Sequence, residues 1–221
     1  DIIYPQEIYR HYIVDDSNFF ATRNASSPYA LDMKKFAIQL KKNPGLTGSV
    51  MFLGSSSIRR WTSLEYDMAP YTVCNRGFGG STVNDVLFYF DDLIPPVAPS
   101  AIVFYEGDND LYNEPEILLD DFIESTRLFY EKVHAILPDT TIIQLSIKDS
   151  ITRHDKWESR YIPANEKLKD MASEYDFVRY IDLVDAMLDE NGDMDSTLFV
   201  EDGLHLNEKG YQIWTGVIKP V

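Results

Sequence analysis

The chain has 221 residues, of which 44% are hydrophobic and 25% charged, and this composition is typical of a single globular domain. Its 36 acidic residues outnumber 20 basic ones, and the resulting formal charge of −16 disfavours binding to nucleic acid or to an anionic lipid surface. No apolar run approaches the roughly 18 residues of a membrane span, so we expect a soluble protein.

Short apolar segments rich in β-branched residues alternate with stretches of helical period along the chain. The short segments predict strands at Ser49–Leu53, Tyr71–Asn75, Ala101–Tyr105, Thr140–Ile147 and Phe177–Ile181. The longer stretches predict helices at Val83–Asp92, Pro115–Ile136, Pro163–Tyr175 and Glu208–Ile218. Continuous apolar strands separated by helices predict a parallel, doubly wound α/β sheet, in which ligands bind beyond the carboxyl ends of the strands.

The first 48 residues fit this alternation less well. A loop is predicted at Asn24–Pro28 and a helix at Leu31–Lys42. We therefore interpret residues 1–48 as an N-terminal extension packed on a core domain of residues 49–221, the two forming one globular unit. The chain starts with Asp1 and shows no leader peptide, which favours export with removal of a leader and leaves a cytoplasmic location open.

A serine-rich turn follows the first predicted strand directly. Its sequence is Gly54-Ser55-Ser56-Ser57-Ile58, and it would present a hydroxyl at the start of the next helix. The free N–H groups and the positive dipole end of that helix would stabilise negative charge that develops beside a serine. The same turn is also compatible with a plain helix cap, because serine caps helices readily.

Two more segments that follow predicted strands could supply hydrogen-bond donors to an oxyanion. Asn75–Thr82 contains three glycines but matches neither a dinucleotide-binding fingerprint nor a P-loop, so a glycine N–H offered to an oxyanion fits it better. Glu106–Asp110 places a side-chain amide at the same edge of the sheet. Both segments are also compatible with ordinary turns, in which Gly, Asn and Asp are common.

An acid and a histidine lie three residues apart shortly before the last predicted helix. Asp202 and His205 can face one another across a single turn, so the carboxylate can fix the tautomer of the imidazole and stabilise its cation. The other ring nitrogen would then take a proton from a serine. By contrast, His11 and His134 have no such polar surroundings, and His154 lies in a charged stretch that predicts a solvated loop.

In this order, the four segments resemble the sequence blocks of the SGNH (GDSL-type) hydrolase family. Val50–Ile58 resembles its first block and Asn75–Thr82 its glycine block. Gly107-Asp108-Asn109-Asp110 matches its Gly-x-Asn-Asp block, and Asp202-Gly203-Leu204-His205 matches its Asp-x-x-His block. One departure is Ser55, at a position where the family often has Asp. That carboxylate is not the catalytic acid, so the departure leaves the implied mechanism intact.

The resemblance implies a three-layer α/β/α sandwich with a mainly parallel five-stranded sheet, and a serine esterase that works through an acyl-enzyme. Ser56 would be the nucleophile, with Asp202 and His205 as its partners. The oxyanion hole would consist of Ser56, Gly80 and Asn109. Ser56 is chosen over its two serine neighbours by its alignment with the family block. No metal or organic cofactor is implied.

The substrate is less well defined by the sequence. The segment Lys148–Trp157 follows the fourth predicted strand, and we expect Trp157 to form an apolar wall of the substrate site. Relatives act on acetylated sugars, short acyl esters, lysophospholipids and thioesters. Because we find no long apolar insertion, we expect a short acyl or acetyl ester, either a small molecule or a saccharide. Two alternatives stay open: an acyltransferase to a sugar hydroxyl, and a catalytically inactive carbohydrate- or ester-binding module.

Overall fold

Five parallel strands form one sheet in the computed structural model, which describes residues 28–113 and 118–221. The strands are β1 (Val50–Gly54), β2 (Val73–Gly77), β3 (Ala101–Tyr105), β4 (Thr141–Leu145) and β5 (Val178–Ile181). Their order across the sheet is β2-β1-β3-β4-β5. The first four are buried along almost their whole length, as expected for strands that are covered on both faces.

Helices cover both faces of the sheet. In the described part of the chain they are α1 (Ala30–Lys42), α2 (Ser56–Arg59), α3 (Leu64–Asp67), α4 (Val83–Phe88), α5 (Phe90–Leu93), α6 (Asp110–Asn113), α7 (Leu119–Ile136), α8 (Ile162–Ala172) and α9 (Glu208–Ile218). Helices α1, α4, α5, α7 and α8 share one core with alternate strand residues such as Met51 and Leu53. Helices α2, α3 and α9 share the other core with Phe52 and Val103. The predicted three-layer α/β/α sandwich is thus confirmed.

The predicted N-terminal extension falls only partly within the described residues. Residues 1–27, which include His11, lie outside them. Helix α1 packs against the first core through buried Met33 and half-buried Phe36 and Leu40. No helix in the described ranges is long and apolar enough to span a membrane.

Several predicted boundaries were wrong. The helix predicted at Val83–Asp92 is two helices, because the backbone of Tyr89 leaves the helical conformation between α4 and α5. The second strand begins at Val73, since Tyr71 is exposed and its N–H binds the carbonyl of Met68 in a turn. The helix predicted to start at Pro115 is described from Leu119 onward, and Pro115 itself lies outside the described residues.

The carboxyl ends of the three strands β1, β2 and β3 lie level with one another. Gly54 pairs with Gly77 on one side and with Tyr105 on the other. The chain segments that follow these residues therefore leave the sheet side by side. Gly77 packs so tightly on α2 that an added Cβ would stand 2.2 Å from the backbone nitrogen of Arg59. The absence of a side chain at this position is what lets α2 lie against β2.

We expect Gly77→Ala to destabilise the protein by about 3 kcal/mol, because the methyl group would have to displace the backbone of α2. The midpoint of urea unfolding measures this change. Gly216→Ala in α9 is the matched control: among the described residues nothing lies within 4 Å of its added Cβ, and alanine favours a helix over glycine by up to about 1 kcal/mol. An unchanged midpoint for Gly77→Ala would contradict the tight packing.

Candidate active site

The structure distinguishes three adjacent serines that follow β1. Ser55 and Ser57 are buried, whereas Ser56 is half-buried and is the first residue of α2. The N–H of Ser55 donates to the carbonyl of Tyr105 at 3.4 Å, which ties the turn to β3. Helix α2 is a single turn, so the helix dipole expected behind Ser56 is weaker than that of a full helix.

Ser56, His205 and Asp202 are hydrogen-bonded in series. Ser56 Oγ lies 2.9 Å from His205 Nε2, although the two residues are 149 positions apart in the chain. His205 Nδ1 lies 2.7 Å from Asp202 Oδ2. The imidazole therefore has one nitrogen towards the hydroxyl and the other towards the carboxylate, the arrangement in which a histidine can take a proton from a serine.

The carboxylate of Asp202 is held by its own turn. Its Oδ1 accepts hydrogen bonds from the backbone N–H groups of Leu204 and His205, each at 2.9 Å. Although partial burial acts to raise the pKa of Asp202, these bonds and the imidazole hold that pKa well below its ordinary value. Thr152 fixes the turn from outside through its hydroxyl, which donates to the carbonyl of Asp202 at 2.6 Å.

The glycine segment after β2 lies beside the serine turn. A Cβ on Gly79 would stand 3.7 Å from Ser56 Cβ, and Gly80 has a φ of +88°, a conformation that favours glycine. The hydroxyl of Tyr29, just before α1, lies 3.5 Å from the position of a Cβ on Gly80. The next residue, Ser81, offers its carbonyl to Asn109 Nδ2 at 2.9 Å. The segment thus connects Ser56 with Asn109, which follows β3.

The segment Lys148–Trp157, from which we expect a wall of the substrate site, is partly buried. Lys148 and Arg153 are buried and contact the carboxylate of Asp108, and Arg153 also contacts Asn109. Sequence reasoning missed both cations. Trp157 is half-buried against the first core and lines a cavity of about 290 Å³ together with Asp149, His154, Val184, Met187, Leu188, Gly192, Asp193 and Met194. Contact between Trp157 and substrate stays a prediction.

Comparison with known protein families identifies the chain. The family model of the GDSL-like Lipase/Acylhydrolase family matches residues 49–213. The chain belongs to this family. It is therefore a hydrolase of the class that cleaves esters. Comparison with curated proteins gives no match.

Solved structures with a similar fold come from several bacteria. A Streptococcus pneumoniae protein provisionally named as a platelet activating factor is 20% identical with a TM-score of 0.73, and the alignment covers 99% of each chain. A GDSL-like lipase from Bacteroides thetaiotaomicron is 19% identical with a TM-score of 0.64, over 85% of this chain and 95% of that one. An acetylxylan esterase from Geobacillus stearothermophilus, a catalytic mutant, is 17% identical with a TM-score of 0.63, over 77% and 92%.

In this GDSL-like acylhydrolase the two sides of the Asn109 amide have different neighbours. On one side, Glu106 is buried and its carboxyl group accepts a hydrogen bond from the Ser81 hydroxyl at 2.6 Å. The second oxygen of this carboxyl group has no hydrogen-bond partner among the described residues. Burial raises the pKa of Glu106 well above its ordinary value. On the other side lie the cations of Lys148 and Arg153. Burial also raises the pKa of Asp110, to about 7, although the backbone N–H groups that donate to its carboxylate act to lower this pKa.

Proposed function

We propose that this chain is a serine esterase that hydrolyses short acyl or acetyl esters, with Ser56 as the nucleophile. The observation that carries the proposal is the hydrogen-bonded series from Ser56 Oγ through His205 to Asp202, with distances of 2.9 and 2.7 Å. Membership of the GDSL-like acylhydrolases supports the reaction class. The accessibility of Ser56, between two buried serines, supports the choice of nucleophile.

The proposed reaction proceeds in two halves. His205 Nε2 takes the proton of Ser56 as Oγ attacks the ester carbonyl, and Asp202 stabilises the imidazolium. The imidazolium then protonates the departing alcohol, which leaves an acyl group on Ser56 Oγ. In the second half, His205 deprotonates a water that attacks the acyl-enzyme, and the acid is released. The N–H groups of Ser56 and Gly80 and the Asn109 amide would bind the oxyanion in both halves.

Two observations support a small acyl group. The hydroxyl of Tyr29 lies beside Gly80, so a side chain from the N-terminal part of the chain narrows the space next to the proposed oxyanion donors. The ring of Phe78 packs edge-on against the Tyr29 ring, with ring centroids 5.0 Å apart. The similarity in fold to an acetylxylan esterase extends the proposal to acetyl groups on saccharides as well as on small molecules.

A fluorophosphonate probe together with a series of p-nitrophenyl esters tests the proposal. We expect turnover to fall as the acyl chain lengthens from acetate to octanoate, because Tyr29 narrows the site. We also expect one equivalent of probe to abolish turnover and to modify Ser56, as located by fragmentation of the labelled peptide. The matched control sites are Ser55 and Ser57 in the same peptide, which should stay unmodified. Full activity in the labelled protein, or labelling elsewhere, would contradict the proposal.

A further inference from the structure

Arg153 holds the amide of Asn109 from its carbonyl side. Arg153 Nη1 and Nη2 each lie 3.1 Å from Asn109 Oδ1, and both side chains are buried. A guanidinium can only donate hydrogen bonds, so the atom that faces it must be the amide oxygen. The amide nitrogen accordingly faces the carbonyl of Ser81 at 2.9 Å, which can only accept. The two neighbours therefore fix which way the amide points.

We propose that Arg153 is a positioning residue for the oxyanion hole and acts through Asn109. This inference rests on the proposed function, in which the Asn109 amide donates to the oxyanion. Two hydrogen bonds to one oxygen restrict rotation of the amide about its last side-chain bond. The positive charge also draws electron density towards that oxygen, which makes the N–H groups of the same amide stronger donors. Arg153 thus both orients and polarises the donor.

The guanidinium itself is fixed by its surroundings. Its Nη1 donates to the backbone carbonyl of Asp108 at 2.9 Å and forms an ion pair with the carboxylate of the same residue. The ring of Tyr112 lies against its face, with 4.5 Å between the guanidinium carbon and the ring centroid. A side chain with contacts on its edge and on its face has little freedom, so the position of Asn109 is defined by a rigid neighbour.

Two positively charged side chains surround the single negative charge of Asp108. One carboxylate faces two buried cations, Lys148 and Arg153, and Lys148 Nζ lies 3.5 Å from the carboxylate. A buried ion cluster of this kind contributes little to stability by itself, because desolvation offsets the attraction. An arginine keeps its charge even when it is buried. In a chain with a formal charge of −16, this cluster keeps a positive charge next to the donor of a developing oxyanion.

A double-mutant cycle between Arg153 and Asn109 tests the inference. Arg153→Lys keeps the charge but loses the paired hydrogen bonds, so we expect kcat for p-nitrophenyl acetate to fall roughly tenfold with KM nearly unchanged. Asn109→Ala alone should lower kcat about a hundredfold, as expected on removal of one oxyanion donor. In the Asn109→Ala background, Arg153→Lys should have no further effect, because the group that it positions is absent.

Tyr161→Phe is the matched control. The Tyr161 hydroxyl contacts Asp108 at 3.1 and 3.3 Å, so its loss disturbs the same cluster while the bonds from Arg153 to Asn109 remain. We expect kcat to stay within about twofold of wild type even if the melting temperature falls. If Arg153→Lys does not fold, Arg153→Gln replaces it in the cycle with the same expectation.

The results that would overturn the inference differ from those that would overturn the proposed function. Equal fold-losses for Arg153→Lys in both backgrounds, or an equal loss for Tyr161→Phe, would show that Arg153 acts only as a structural residue. An active Ser56→Ala variant would instead refute the proposed function itself.

Discussion

Replacing Ser56 with alanine is expected to lower kcat for p-nitrophenyl acetate by about 10⁴-fold or more. The loss should be this large because alanine leaves His205 with no hydroxyl to deprotonate, so no acyl-enzyme can form. The residual activity of the variant would come from the oxyanion donors alone. Initial rates of p-nitrophenol release measure the loss, and an unchanged melting temperature would show that the site lost chemistry rather than structure.

Ser55→Ala and Ser57→Ala are the controls for this experiment. Both side chains are buried, and in the described structure Ser55 makes no capping hydrogen bond through its hydroxyl. Removing either hydroxyl should therefore change kcat by less than about tenfold. A Ser56→Ala enzyme that retains a tenth of wild-type activity, or a Ser57→Ala enzyme that loses all of it, would refute the assignment of the nucleophile.

Local signals predicted some elements fully and others poorly. The apolar run Ala101–Tyr105 and the helix Glu208–Ile218 have the predicted bounds. The helix begins where Asn207 accepts a hydrogen bond from the N–H of Gly210, a cap that depends only on neighbouring residues. The break at Tyr89 had no such local signal. Tyr89 packs against Phe88 and Tyr29, and the second contact is between residues 60 positions apart, which no window of sequence contains.

In the candidate site, too, contacts between neighbouring residues could be predicted from the sequence, and contacts between distant residues could not. Asp202 and His205 are three residues apart, so their contact could be predicted from spacing. The serine turn lies close to them because α9 packs against it, with the Tyr211 hydroxyl donating to the carbonyl of Ser57 at 2.8 Å. The contact between Arg153 and Asn109 spans 44 positions and two different strand ends. Arg153 also lies in a charged stretch that by pattern predicts a solvated loop. Burial of Arg153 within this otherwise solvent-accessible stretch depends on its ion pair with Asp108, whose own burial becomes visible only in the folded sheet.

Asp202→Asn should be the next most damaging change, with kcat lowered by about 10³- to 10⁴-fold. The amide oxygen can keep the two N–H bonds that Oδ1 now accepts from Leu204 and His205. The amide nitrogen would then face His205 Nδ1 as a donor. That nitrogen would have to become an acceptor, so the ring proton would move to Nε2, which could no longer take the proton of Ser56.

The pH dependence and a charge control separate this tautomer effect from a general loss of negative charge. The pKa of Asp202 lies well below its ordinary value, so the wild-type carboxylate is ionised throughout the assay range. Arg60→Ala removes the cation 3.5 Å from the same carboxylate in an exposed pair, and it should change kcat less than about threefold. If Asp202→Asn lowered kcat no more than Arg60→Ala at every pH, the carboxylate would not be what prepares His205 as a base.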